Sequence, residues 1–202
     1  IYKEIMYQTK NLVNRGLSQS KKLMHLRGRP KILLTPNFET AQKFIRKYKN
    51  NTIGVISDIR FPKKGINDPI AGLKFAKWVR SVDPSIPIML QSTDLKNSKL
   101  AEKVDAAFLH KGSHTLLTDL RSFIIENFGF GDFIFRLSDN TTVDSASNID
   151  EFIQCLKKIP VESVVYHAKS HHFSNWLAAR TEFELASKLR PVSVPQFETG
   201  EL

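Results

Sequence analysis

One cysteine, Cys155, stands in 202 residues. It excludes an intramolecular disulfide framework and any all-cysteine metal knuckle, and it fits a reducing compartment. No apolar run approaches the roughly 18 residues of a membrane helix, and no secretory signal is visible. A cytoplasmic protein without a membrane segment is the expectation. A Walker A pattern, a glycine-rich phosphate loop and a catalytic domain of adequate length are all missing, so this chain is not expected to be an enzyme by itself. The first residue is Ile1, and helix-like sequence starts at once, which suggests a piece of a longer chain.

Acidic residues are also scarce. The 30 Lys and Arg outnumber the 20 Asp and Glu, giving a net charge of +10 and a pI near 9.7. The imbalance is local: residues 1–80 carry 18 basic and 4 acidic side chains, whereas 81–140 and 141–202 each come out at −2. A basic half can attract a phosphate backbone, an anionic membrane surface or an acidic protein. Aromatics do not interleave with its lysines as a base-stacking platform requires. Lys3, Lys10, Arg15, Lys21, Lys22, Lys43, Arg46, Lys47 and Lys49 therefore read first as solvated helix faces, and nucleic acid is only the runner-up partner.

What is present is an alternation of short apolar runs and amphipathic segments. Ile1–Asn14 has a helical stripe, and a second helix carries Leu23, Met24 and Leu26. Lys31–Thr35 reads as a strand, Phe38–Lys49 as a helix, and Thr52–Asp58 as a buried strand. Phe61–Ile70 reads as a loop and Ala71–Val82 as a helix. Strands are expected at Ile86–Gln91 and Ala106–His110, a weaker helix at Leu95–Val104, and a helix from Ser113 to Asn127. Beyond Gly129-Phe130-Gly131-Asp132, Phe133–Arg136 and Thr141–Val143 suit a hairpin. Asn148 and Glu151 suit a capping box for a helix over 149–158. Val161–Ala168 is ambiguous between helix and strand. Further helices cover 174–189, with Thr181 and Glu184 as a second capping box. The expectation is an α/β domain over 1–129 with a mostly parallel sheet, followed by a small α+β module over 130–202.

Asp58 ends what reads as a central parallel strand, where open α/β sheets place their sites. Ser92 and Thr93 end the next strand and Lys111 the one after, so all fall on one rim. A carboxylate, a hydroxyl and an ammonium together suit phosphoryl transfer onto the carboxylate. A turn-capping Asp58 and a surface Lys111 fit the same spacing.

Ile53–Asp58, then Ile59-Arg60-Phe61-Pro62, the helix opening around Gly72, Ile86-Pro87-Ile88-Met89-Leu90, Ser92 and Phe108-Leu109-His110-Lys111 resemble, in that order, the response-regulator receiver domain. The resemblance implies a flavodoxin-like (CheY-like) three-layer sandwich. It makes Asp58 the phosphoacceptor, Ser92 and Thr93 phosphate-contacting hydroxyls, Lys111 the contacting lysine, Phe108 the switch aromatic and Arg60 a modulator of phosphate lifetime. Lys31–Thr35 then matches the family's second strand. The first strand, with the acidic pair that holds Mg²⁺, is expected upstream of Ile1. Of the metal ligands only Asp58 is present, so this piece is not expected to phosphorylate normally. Gly112 stands where the family usually has proline, and the loop over Lys63–Asp68 looks expanded.

Glu162–His167, His172–Arg180 and Glu184-Leu185-Ala186 resemble a segment that follows the receiver-like part of multidomain bacterial proteins similar to phosphoenolpyruvate synthase or pyruvate, phosphate dikinase. The resemblance implies a two-component-type regulatory module of a larger phosphotransferase. Its partners would be downstream catalytic domains, a histidine kinase and a second copy of itself; a non-phosphorylatable adaptor is the other reading. His167 and His171, four apart, suit one helix face, but no glutamate follows His167 as a zinc hydrolase pattern needs. With His172, Trp176 and Arg180 they form a candidate recognition surface. Helix packing for the histidines, core for Trp176 and Cys155, and an ion pair with Glu182 and Glu184 for Arg180 are the plainer readings.

Overall fold

The computed structural model describes residues 31–191 together with Lys3, Met6 and Tyr7. Apart from those three positions, the two helices expected before Pro30 lie outside the described residues, as does the tail from Val192. The chain forms two compact units, one spanning Lys31–Phe123 and one containing the chain from Ile124 onward. Eight α-helices and a three-stranded parallel sheet among the described residues make the protein α/β. No helix of the described residues is long and apolar enough to cross a membrane.

In the first unit, Asn37 caps α1 (Phe38–Tyr48) by accepting from the Thr40 N–H at 2.9 Å, and Phe38, Ala41 and Ile45 form its buried stripe. Strands β1 (Val55–Asp58), β4 (Ile88–Ser92) and β5 (Ala107–His110) pair in parallel in that order. Val55 is in register with Ile88 and Met89 with Ala107. Ile88, Met89 and Leu90 are buried, so β4 is the middle strand. Among the described residues Asp58 thus ends the strand at one edge of the sheet, half-exposed at every residue.

Two expectations fail here for physical reasons. Lys31–Thr35 forms no strand, and Leu34 is 86% exposed. A β-run exists only through a ladder, and among the described residues none is offered to it. Phe61–Ile70 is not a loop but a hairpin of β2 (Phe61–Lys63) and β3 (Ile66–Asp68). Lys64 and Gly65 turn it with φ of 52° and 77°, the double positive φ that suits a two-residue hairpin turn. Pro62 is tolerated because the ribbon has no third strand among the described residues.

The helices α2 (Ala71–Val82), α3 (Asn97–Glu102) and α4 (Leu116–Asn127) complete this part of the chain. Phe38, Phe75, Val79, Ile86, Ile88 and Leu90 share one core. Burying each large side chain is worth about 1.5–3 kcal/mol as an upper estimate.

The second unit starts with an antiparallel hairpin, β6 (Phe133–Arg136) and β7 (Thr142–Ala146), whose register shifts between Phe135 and Arg136. Four helices follow: α5 (Ile149–Leu156), α6 (Val161–Lys169), α7 (His172–Ala179) and α8 (Phe183–Leu189). The ambiguous run from Val161 is helical, opened by Pro160 at its N-cap and Glu162 in its first turn. Asn148 Oδ1 accepts from the Glu151 N–H, but Glu151 reaches back to the Ser147 N–H, one residue before the cap. Thr181 does not cap α8: it sits at φ 63°, and Glu182 occupies the N-cap position without a side-chain bond. Phe133, Phe135, Phe152, Phe173 and Trp176 stack into an aromatic core, with Cys155 buried against it.

Candidate functional site

Parallel pairing puts the C-terminal ends of β1, β4 and β5 on one rim. Asp58 is in register with Gln91, and Ser92 with His110. The Lys111 N–H continues the ladder to the Ser92 carbonyl at 2.9 Å. From beyond β5, the Lys111 side chain crosses the end of β4 and places Nζ 2.6 Å from Asp58 Oδ1. That oxygen is shut off from solvent without a well-aligned hydrogen bond, so Coulomb attraction holds the contact. The two side chains remain 44% and 38% exposed, which limits the pair to about 0–1 kcal/mol.

The other expected rim residues divide. Ser92 Oγ accepts from the Asp94 N–H at 3.1 Å and from Asn97 Nδ2 at 2.9 Å, so its lone pairs face the following turn. Thr93 is exposed, and its carbonyl lies 3.0 Å from His110 Nε2. Phe108 is half-buried against the core and Arg60 is exposed.

Two side chains at the rim had no role assigned from the sequence. Asn97 fixes Ser92, and His110 ties the β5 end to Thr93. A Cβ on Gly112 would lie 3.1 Å from His110 Cε1, so the small residue leaves room for that ring. Gly72 is required by close approach: a Cβ there would stand 2.3 Å from the Asp58 carbonyl oxygen, while its N–H donates to the Ile59 carbonyl. The start of α2 is thereby pressed onto the chain just after the rim carboxylate. Asp68 secures the same turn by accepting from the Ile70 N–H and from Lys74 Nζ at 2.7 Å, and these bonds, Lys74 first, hold its carboxyl below the usual range.

Mg²⁺, which the receiver resemblance implies, does not fit the side chains present. Among the described residues Asp58 is the one carboxylate ending a strand of the parallel sheet, one of its oxygens faces Lys111, and no group of three candidate ligands occurs. A hard cation wants several oxygens.

In the second unit, the candidate recognition residues are mostly inside. His167, Trp176 and Arg180 are 4%, 2% and 6% exposed. Arg180 lies with its guanidinium carbon 3.5 Å from the Trp176 ring centroid. It donates to the carbonyls of Gly129 at 2.8 Å and Gly131 at 2.9 Å, and Trp176 Nε1 also donates to Gly131. These two side chains pin the 129–131 segment rather than present a surface, while Glu184 pairs with Lys188.

His167 and His171 do not share a helix, because α6 ends at Lys169 and His171 turns the chain at φ 54°. His172 comes in instead: its Nδ1 lies 2.9 Å from His167 Nδ1. His167 Nε2 accepts from the Arg136 backbone N–H at 2.8 Å, at the irregular point of the β6–β7 pairing. Burial, then the neighbouring His172 and Arg136 charges, pushes His167 down to about 3; burial, Arg136 and His171 push His172 down to about 4. No protein-family model, curated protein or solved structure matches this chain.

Proposed function

We propose that the chain is a regulatory module of a larger phosphotransfer protein. In this reading Lys31–Phe123 belongs to a flavodoxin-like, receiver-type domain whose Asp58 takes a phosphoryl group, and the module docks on catalytic domains of the same polypeptide. The observation that carries the reading is the 2.6 Å approach of the Lys111 ammonium to the Asp58 carboxylate across the rim. A carboxylate oxygen of Asp58 attacks the phosphorus of an acyl phosphate, forming a new P–O bond as the donor carboxylate leaves. Lys111 neutralises the charge on the transferred group.

The test is intact-mass spectrometry of the full-length protein, including any sequence that precedes Ile1, after treatment with acetyl phosphate and Mg²⁺. Addition of one phosphoryl group that disappears in Asp58→Asn supports the reading. No addition, or addition that survives the substitution, overturns it.

A second reading, binding of a nucleic-acid backbone, is favoured by one feature. Lys43, Arg46 and Lys47 share a stripe of α1, with Arg46 5.5 Å from the Trp78 ring of α2, where Lys77 is exposed. Among the described residues none of these four cations has a carboxylate at ion-pair distance, while Glu39 is bonded to the Lys64 N–H and Asp68 to Lys74. Binding to random duplex that weakens steeply with salt supports this reading, and no binding at low salt removes it.

A further inference from the structure

The hydrogen bonds around His167 determine where its proton sits. A backbone N–H can only donate, so the bond from Arg136 N–H leaves His167 Nε2 unprotonated. The neutral ring then carries its proton on Nδ1 and donates to His172 Nδ1. His172 must in turn be protonated on Nε2. The relay from β6 through α6 to α7 therefore ends in an imidazole that presents a donor and not a lone pair. It also disfavours a metal, since no two imidazole lone pairs face one point.

Two more donors belong to the same cluster. The Tyr166 ring lies 5.0 Å from His167 and 5.9 Å from His172, and Arg136 is close enough for its charge to act on both imidazoles. All three of Arg136, Tyr166 and His172 are half-buried. Among the described residues, the Arg136 guanidinium, the Tyr166 hydroxyl and His172 Nε2 have no hydrogen-bond or ion-pair partner. The charges acting on His167 come from His172 and Arg136, those on His172 from Arg136 and His171, and every one is positive when ionised. A partly desolvated group of unpaired donors without an acceptor is complementary to an anion.

We propose that Arg136, Tyr166 and His172 form a binding site for a small oxyanion, a phosphate or carboxylate group of a diffusible ligand, with His167 as the positioning residue that sets the His172 tautomer. This site lies in the second unit and does not depend on phosphorylation of Asp58.

The test is long-range ¹H–¹⁵N spectroscopy of the histidines in the 202-residue chain at pH 7, titrated with inorganic phosphate and, separately, with acetate. His172 should appear as the Nε2–H tautomer, and its signals should shift saturably with at least one anion. Tighter binding of phosphate assigns a phosphoryl ligand; tighter binding of acetate assigns a carboxylate. Arg136→Gln should weaken the binding about tenfold or more through loss of a charged donor, and Tyr166→Phe by a smaller factor. A His172 tautomer protonated on Nδ1, no saturable shift with either anion, or an affinity unchanged in Arg136→Gln overturns the proposal. The tautomer and the titration are read on the native chain, so they decide even if a variant fails to fold.

Discussion

Lys111 Nζ approaches Asp58 Oδ1 to 2.6 Å although a whole strand, β4, separates the strands from which the two residues issue. Neighbouring strands lie about 4.8 Å apart, so the lysine must extend over the end of β4 to make the contact. So exposed a pair contributes little to holding the sheet together; under the proposed function the ammonium meets the charge that arrives on the carboxylate.

Lys111→Met should accordingly leave stability almost unchanged, by less than about 1 kcal/mol in urea unfolding, because both partners remain more than a third exposed. The same variant should slow or abolish the acetyl phosphate reaction. A large stability loss would make the contact structural.

Gly72→Ala should destabilise the protein by about 1–3 kcal/mol, since the added methyl would stand 2.3 Å from the Asp58 carbonyl oxygen and backbone would have to move. The displacement falls on Asp58, so thermal unfolding and phosphoryl acceptance should suffer together. A variant with the parental melting temperature would show that the approach is looser than described.

Arg180→Met keeps the aliphatic stem over Trp176 but strips the Gly129 and Gly131 carbonyls of guanidinium donors. With those acceptors left short, the expected cost is about 2–4 kcal/mol, read by Trp fluorescence in a urea titration. Arg180→Lys should recover little of it, because one ammonium cannot replace a two-nitrogen fork.

Stability should rise with pH from about 4 to about 6.5. His167 and His172 have folded-state pKa values depressed to about 3 and about 4, below the ordinary 6.5, so the unfolded chain binds more protons throughout that window. The full contribution is present above about 6.5 and is lost as pH falls below it, with a limiting slope of about 2.7 kcal/mol per pH unit for two protons. Replacing His172 with Phe should reduce the slope toward half. Urea midpoints across pH 4–7.5 measure it, and a flat profile would remove the neutral pair.

Where local pattern and final environment agreed, the sequence was readable. Ala71–Val82 is a helix over the span its apolar stripe indicates, and Asn148 caps its helix because an amide oxygen three residues ahead of an N–H needs nothing from elsewhere. Lys31–Thr35 misleads for the opposite reason: its residues suit a strand, but a strand needs a partner edge. The Lys63–Asp68 segment misleads because Lys64-Gly65 is a weaker turn signal than Asn-Gly, although its φ angles serve equally well. His167 pairs with His172 and not His171, since the break at Ser170 and His171 rotates the next helix in a way helical periodicity cannot anticipate.

By itself the sequence determined the alternation of helices and strands, the basic first half, and the order in which Asp58, Ser92 and Lys111 arrive at strand ends. These depend on side-chain periodicity, caps and composition, all local properties. Only the tertiary structure decided that β1 lies at an edge of the sheet among the described residues, that Lys111 reaches Asp58 across β4, that Trp176 and Arg180 are buried clamps, and that His172 meets His167. Strand order and side-chain meetings between distant segments follow from how the whole chain buries its apolar surface, and no local run of residues encodes that.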